Sequence, residues 1–210
     1  MTTDLNNAYF KFNDPRIEMI NGVPLHPSWW SRFYEYAFAL RFPERNDCAA
    51  DMGCGWMGRP LTAELARLSK EVYGIDADKR VHGLEKVDGL YYLSMDFTST
   101  EMNYFRSSSF DKIYCISVIE DLSPDDRAQA LKNFSRLIAK KGKIIITMDA
   151  IWEAFRIAQP YPTVNVQHFI RDVERAGLRF VGEIDTRMPD NAVHQSKWNL
   201  ACWHCVLERA

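Results

Sequence analysis

Three glycines crowd into Gly53-Cys54-Gly55-Trp56-Met57-Gly58, directly after Asp51-Met52 and the small-residue run Cys48-Ala49-Ala50. A helical pattern follows. Glycines at a strand-to-helix turn let the backbone approach a ligand closely, because no side chain intervenes. A second acid, Asp76, stands 18 residues beyond Gly58, at the end of Glu71-Val72-Tyr73-Gly74-Ile75. A carboxylate just past a strand in that position suits a ribose diol. The pair of features predicts a site for an adenosine-type cofactor.

The turn can be read in two ways. Taken alone, Gly53 to Gly58 is G-x-G-x-x-G, the dinucleotide fingerprint. With Asp51 included, the stretch resembles motif I of the class I S-adenosylmethionine-dependent methyltransferases, D/E-x-G-x-G. Asp51 favours the second reading. A dinucleotide turn faces a pyrophosphate, which a nearby carboxylate repels. S-adenosylmethionine carries a sulfonium and an ammonium, which an acidic strand end attracts. Gly58 falls one position later than the methyltransferase pattern places its third glycine.

The chain beyond the turn is similar to the same superfamily at matching intervals. Leu90-Tyr91-Tyr92-Leu93-Ser94-Met95 reads as a third strand closed by Asp96-Phe97. The resemblance implies that Asp96 accepts from the adenine amino group and that Phe97 packs on the ring. Phe110-Asp111-Lys112-Ile113-Tyr114-Cys115-Ile116-Ser117-Val118-Ile119-Glu120-Asp121-Leu122 resembles the family's fourth strand and its exit, with Asp121 where His is common. Leu137 to Thr147 looks like a helix end, a turn and a fifth strand. The resemblance spans about residues 47–148. It implies S-adenosylmethionine as cofactor, S-adenosylhomocysteine as product, and a cofactor shell of Asp51, Met52, Gly53, Cys54, Gly55, Asp76, Ala77, Asp96, Phe97 and Ser117.

Strands are expected near 48–51, 71–75, 90–95, 111–116 and 143–148, and helices near 60–69, 124–139 and 166–176. Pro60 suits a first helical turn, and Ser123-Pro124-Asp125-Asp126 is a good start signal. Short β-α alternation predicts an α/β fold: a doubly wound, mostly parallel seven-stranded sheet with helices on both faces. Leu178–Asp185 and Trp198–Leu207 have no helix between them, which predicts a C-terminal antiparallel hairpin. A helix is expected from Pro27 to about Arg41, its aromatic stripe packing on the sheet, with Trp29, Trp30 or Tyr34 as alternatives for capping a pocket. Residues 1–45 form an N-terminal extension to the 46–210 core of a single domain. Residues 1–26 are polar with scattered aromatics and suit a mobile segment or a lid.

The 210 residues carry 47% hydrophobic side chains, 26% charged ones and a net charge of -2, values ordinary for a globular domain. That balance gives no basic footprint, so nucleic acid is not an expected partner. No apolar run is long enough for a membrane span, and the start lacks a signal-peptide pattern. Five cysteines without a framework fit a reducing cytoplasm. Cys202-Trp203-His204-Cys205 resembles C-x-x-C. On a strand its two thiols point to opposite faces, which rules out pairing.

Methyl transfer is an in-line displacement, so alignment and water exclusion supply much of the rate. A hydroxyl acceptor also needs a base, for which Asp121, Glu120, His168 and His194 are candidates. Asp149–His168 and the loop Thr186–Lys197 are expected to cover the acceptor. The [DN]-P-P-[YW] motif of amino-methylating DNA enzymes is absent, as is the Pro-Cys nucleophile of cytosine-C5 enzymes. A small-molecule acceptor is expected, and oligomeric state is open. A nicotinamide oxidoreductase and a non-catalytic partner subunit are the alternatives. The first lacks a Tyr-x-x-x-Lys pair.

Overall fold

Apolar runs of five to seven residues, separated by amphipathic helices, pair into one twisted sheet. A computed structural model describes residues 6–56, 60–83, 88–151, 164–196 and 200–210. Its strands are β1 (Ala8–Tyr9), β2 (Met19–Ile20), β3 (Val23–Pro24), β4 (Cys48–Met52), β5 (Glu71–Asp76), β6 (Leu90–Ser94), β7 (Phe110–Ile116), β8 (Ile138–Ile151), β9 (Leu178–Phe180), β10 (His194–Gln195) and β11 (Leu200–Arg209). The helices are α1 (Arg32–Ala39), α2 (Pro60–Leu68), α3 (Pro124–Leu137) and α4 (Val166–Arg175).

The strands run in the order β6-β5-β4-β7-β8-β11. The pairs from β6 to β8 are parallel, and β11 is antiparallel to β8. The order reverses between β4 and β7, which places the ligand crevice beyond their carboxyl ends. Side chains alternate across the sheet. Ala50, Met52, Ile113, Cys115, Ile144 and Ile146 pack with α3 and α4, while Ala49, Tyr114, Ile116 and Ile145 pack with α1 and α2. Cys202 and Cys205 fall in opposite layers, as expected for residues three apart on β11.

The hairpin edge differs from expectation. β9 stops at Phe180, and its place along β11 passes to the N-terminal segment. Ala8 and Tyr9 pair with His204 and Trp203. Asn7, fully buried, bridges the junction. Its Nδ2 donates to the carbonyls of Val181 and Glu183, each at 3.0 Å, and its Oδ1 accepts from the Val206 N–H at 3.0 Å. Residues 7–10 are therefore buried in the sheet edge. Trp198 and Asn199 lie outside the described residues.

Helix α1 also starts later than its sequence pattern. Pro27 sits in a turn closed by the Trp29 N–H donating to the His26 carbonyl at 3.0 Å. The helix begins only at Arg32. Helix α3 starts as expected, with the Ser123 hydroxyl accepting from the Asp126 N–H and Pro124 in the first turn. It leads directly into β8 at Ile138, through a register irregularity opposite Phe110 and Lys112.

Candidate functional site

At the end of β4 the chain enters the left-handed region twice, at Gly53 (φ +78°) and Gly55 (φ +69°). A Cβ on Gly53 would lie 2.6 Å from a Val118 methyl, so only glycine fits. A Cβ on Gly55 would meet nothing within 4 Å, so bare backbone there faces open space. The Asp76 carboxylate holds this turn. Its Oδ2 accepts from the Gly55 N–H at 2.8 Å and its Oδ1 from the Asp78 N–H at 2.9 Å. Each oxygen keeps a further lone pair for a diol.

Asp51 lies 4% exposed beside the turn and accepts from the Thr62 hydroxyl at 2.6 Å. Burial pushes its carboxyl up to about 6, against the pull of Thr62 and with added repulsion from Asp76. A cavity of about 220 Å³ opens here, lined by Asp51, Gly53, Cys54, Gly55, Thr62 and Ser117 among others.

A second cavity, about 380 Å³, adjoins it and shares Trp29, Arg32 and Ser117. Its remaining wall includes Trp30, Glu120, Asp121, Asp149 and Gln195. Glu35, on α1, is fully buried nearby. Its Oε2 accepts from Arg32 at 2.8 Å, from the Ser117 hydroxyl at 2.7 Å and from the Thr147 hydroxyl at 2.6 Å. Burial disfavours its charge. Arg32 and the hydroxyls outweigh that, and the Glu35 carboxyl lies below its ordinary range. Ser117, at the end of β7, takes φ +47°, an uncommon conformation for a non-glycine residue.

Glu35 Oε1 is buried without a donor, and Glu120 and Asp149 each carry such an oxygen too. Glu120 Oε1 accepts from the Asp149 N–H at 3.1 Å, while Glu120 Oε2 and Asp149 Oδ1 are buried without a donor. An unpaired buried polar group costs about 1–3 kcal/mol. Burial and the neighbouring Asp149 push the Glu120 carboxyl well up. Burial, with Glu35, pushes Asp149 up to about 7, partly opposed by Arg32.

Residues 50–146 match the family described as methyltransferase domain. That match covers the glycine turn and the parallel strands, and over this segment the chain is similar to the class I S-adenosylmethionine-dependent methyltransferases. Solved structures share the fold. A TehB-like S-adenosylmethionine-dependent methyltransferase from Corynebacterium glutamicum is 18% identical at a TM-score of 0.60, over 84% of this chain and 87% of that one. The [4+2]-cyclase SpnF is 14% identical at a TM-score of 0.67, over 98% of this chain and 87% of that one. The 1,6-didemethyltoxoflavin-N1-methyltransferase from Burkholderia thailandensis, solved with bound 1,6-didemethyltoxoflavin and S-adenosylhomocysteine, is 14% identical at a TM-score of 0.58, over 79% of this chain and 72% of that one. A search of curated proteins found no match.

Within this methyltransferase fold, Asp51, Gly53, Cys54, Gly55 and Ser117 converge on one cavity, and Asp76 fastens its floor. Met52 is fully buried and Ala77 is exposed after β5, so what they bring to the turn is position. Asp96 is tied into its own turn, accepting from the Thr98 N–H at 2.8 Å and hydroxyl at 2.7 Å. Phe97, expected to stack on a cofactor ring, is 6% exposed, and its ring centroid lies 5.8 Å from that of Phe134 in the core. Gly58 lies outside the described residues, as do Trp152, Phe155, Tyr161 and Lys197.

The expected bases separate. Asp121 lines the rim of the larger cavity, its carboxyl raised by partial burial against the pull of Arg32. His168 and His194 line neither described cavity. His168 sits on the exposed side of α4, and the His194 ring lies against Phe12 with Nδ1 2.9 Å from the Ala192 carbonyl. Both histidines occupy exposed positions, His168 on α4 and His194 on β10, apart from the two described cavities. Arg32, Glu35, Thr147 and Asp149 escaped the sequence reading as a polar group. Their one signal was Glu35 inside an otherwise apolar helix face.

Proposed function

We propose that the chain is a methyltransferase that uses S-adenosylmethionine to methylate a small or medium-sized acceptor. The observation that carries this reading is the meeting of the two cavities at Trp29, Arg32 and Ser117, at the carboxyl ends of β4, β7 and β8. Gly53 and Gly55 supply bare backbone for the cofactor, Asp76 the ribose contact, and Asp51 a negative charge toward the cationic end. When bound, the cofactor supplies an activated methyl carbon. The protein then aligns the acceptor and excludes water, with Trp29 and Trp30 at the boundary. Alignment of this kind supplies much of the rate in bimolecular displacements. Asp121 remains a candidate base. Asp149, with a carboxyl near neutrality, joins it and suits a proton acceptor at pH 7–8.

The test is calorimetric titration with S-adenosylmethionine, S-adenosylhomocysteine and NAD in parallel. The first two should bind and NAD should not. NAD binding alone would overturn the reaction class. A solved structure of this fold is a [4+2]-cyclase, so turnover over an acceptor panel must accompany binding. Tight S-adenosylmethionine binding with no turnover on any acceptor favours a non-methylating role.

A further inference from the structure

The larger cavity is lined by three acidic side chains, Glu120, Asp121 and Asp149, and one basic side chain, Arg32. Glu120 is 6% exposed, lines the cavity, and has one oxygen buried without a donor. Asp149 lines the same cavity with a second such oxygen. Among the described lining residues Arg32 is the only basic side chain, and it is engaged by Glu35 at 2.8 Å. Glu35 Oε2 also accepts from Ser117 and Thr147. Glu120 Oε2 and Asp149 Oδ1, like Glu35 Oε1, have no donor among the described residues.

We propose that this cavity recognises a small organic cation, an acceptor bearing a protonated amine held beside the carboxyl groups of Glu120 and Asp149 that line it. The inference rests on the methyltransferase reading and narrows its acceptor class. A protonated amine brings both donors and a positive charge, whereas an alcohol brings one donor and no charge. Trp29 and Trp30 on the same wall suit a cation as well as an apolar body, because an aromatic face attracts positive charge. A carboxylate ligand meets repulsion from three acids.

The groups that set the response to pH are Arg32 and Glu35 from α1, Glu120 and Asp121 from the segment after β7, Asp149 from β8 and Cys202 from β11. A bound cation favours the ionised carboxyls. Binding therefore releases protons and tightens as pH rises from 6 to 8, while the amine itself stays charged.

The experiment titrates the protein with 2-phenylethylamine, 2-phenylethanol and phenylacetate, each with and without saturating S-adenosylhomocysteine. The amine should bind at least tenfold more tightly than the other two. It should bind more tightly at pH 8 than at pH 6. Glu120→Gln should reduce the preference to under threefold. Circular dichroism and S-adenosylhomocysteine binding report whether that variant folds, and Asp149→Asn serves in its place if it does not. Equal affinity for amine and alcohol, an unchanged preference in the folded variant, or binding of none of the three overturns the proposal. Retained S-adenosylhomocysteine binding in those cases leaves the methyltransferase reading standing. Its loss in the parent protein overturns that reading, while the amine preference is still measured without it.

Discussion

The cavity at the glycine turn is built largely from backbone, whereas its neighbour at Trp29 and Trp30 is built from side chains contributed by distant segments. In the first, two positive-φ glycines and a carboxylate receiving backbone N–H groups fix a surface that few substitutions can reproduce. In the second, α1 supplies the Arg32–Glu35 pair, β7 supplies Ser117, and β8 supplies Thr147 and Asp149. The first is fixed by backbone conformation. The second depends on side chains that packing brings together from distant segments.

The comparison breaks most visibly at Glu35. Glu35→Gln removes the charge partner of Arg32, whose side chain is 25% exposed, so the loss should fall below the roughly 3–5 kcal/mol of a fully buried pair. Chemical denaturation should show that drop, and affinity for both ligand classes should fall with it. A drop under about 1 kcal/mol would show that Arg32 finds another partner.

Gly53→Ala comes next. Its methyl meets Val118, and its φ of +78° is strained for any other residue, so S-adenosylhomocysteine affinity should fall about a hundredfold. Gly55→Ala has the same strain without the clash and should lose about tenfold. Equal losses would mean that backbone conformation alone matters.

The two cavities also separate by pH. Asp149 is raised when folded, so the native state favours its protonated form. Its contribution is intact below the unfolded carboxylate pKa near 4 and is lost as pH rises through about 7. Asp149→Asn should therefore be more stable than the parent at pH 8, by about 1–3 kcal/mol after solvent screening, and similar at pH 4. Thermal melts across that range check it. A matching shift in Thr62→Val, which strips Asp51 of its donor, would place the effect in the glycine-turn cavity as well.

The smallest expected change is none. His168→Ala and His194→Ala should leave turnover and S-adenosylhomocysteine affinity within about twofold, since exposed substitutions away from a site change little. A tenfold loss of turnover in either would restore it to the site.

These contrasts also explain what the sequence could reveal. The glycine turn, Asp76 and the strand order were legible because local spacing and β-α alternation encode them. The order of motifs from Asp51 to Thr147 carried the superfamily. Glu35, Thr147 and Asp149 were not legible as a unit. Thr147 and Asp149 meet Glu35 only through packing between segments 112 and 114 residues apart, and single-sequence spacing does not report such meetings. The core contact of Phe97 with Phe134 was not legible either, because a strand-end aromatic next to an acid can face the crevice or the core. The short β9 was equally hidden. Nothing in Leu178–Asp185 announces that Asn7 takes over its hydrogen bonds with β11.

Hydrogen–deuterium exchange with and without S-adenosylhomocysteine tests the central claim most directly, because it reports where the cofactor sits as well as that it binds. Peptides covering Gly53–Gly55, Asp76–Asp78 and Ser117–Val118 should be protected, while β9 and α4 stay unchanged. Protection confined to other segments, or no protection at saturating ligand, would contradict the assignment of the glycine turn as the cofactor site.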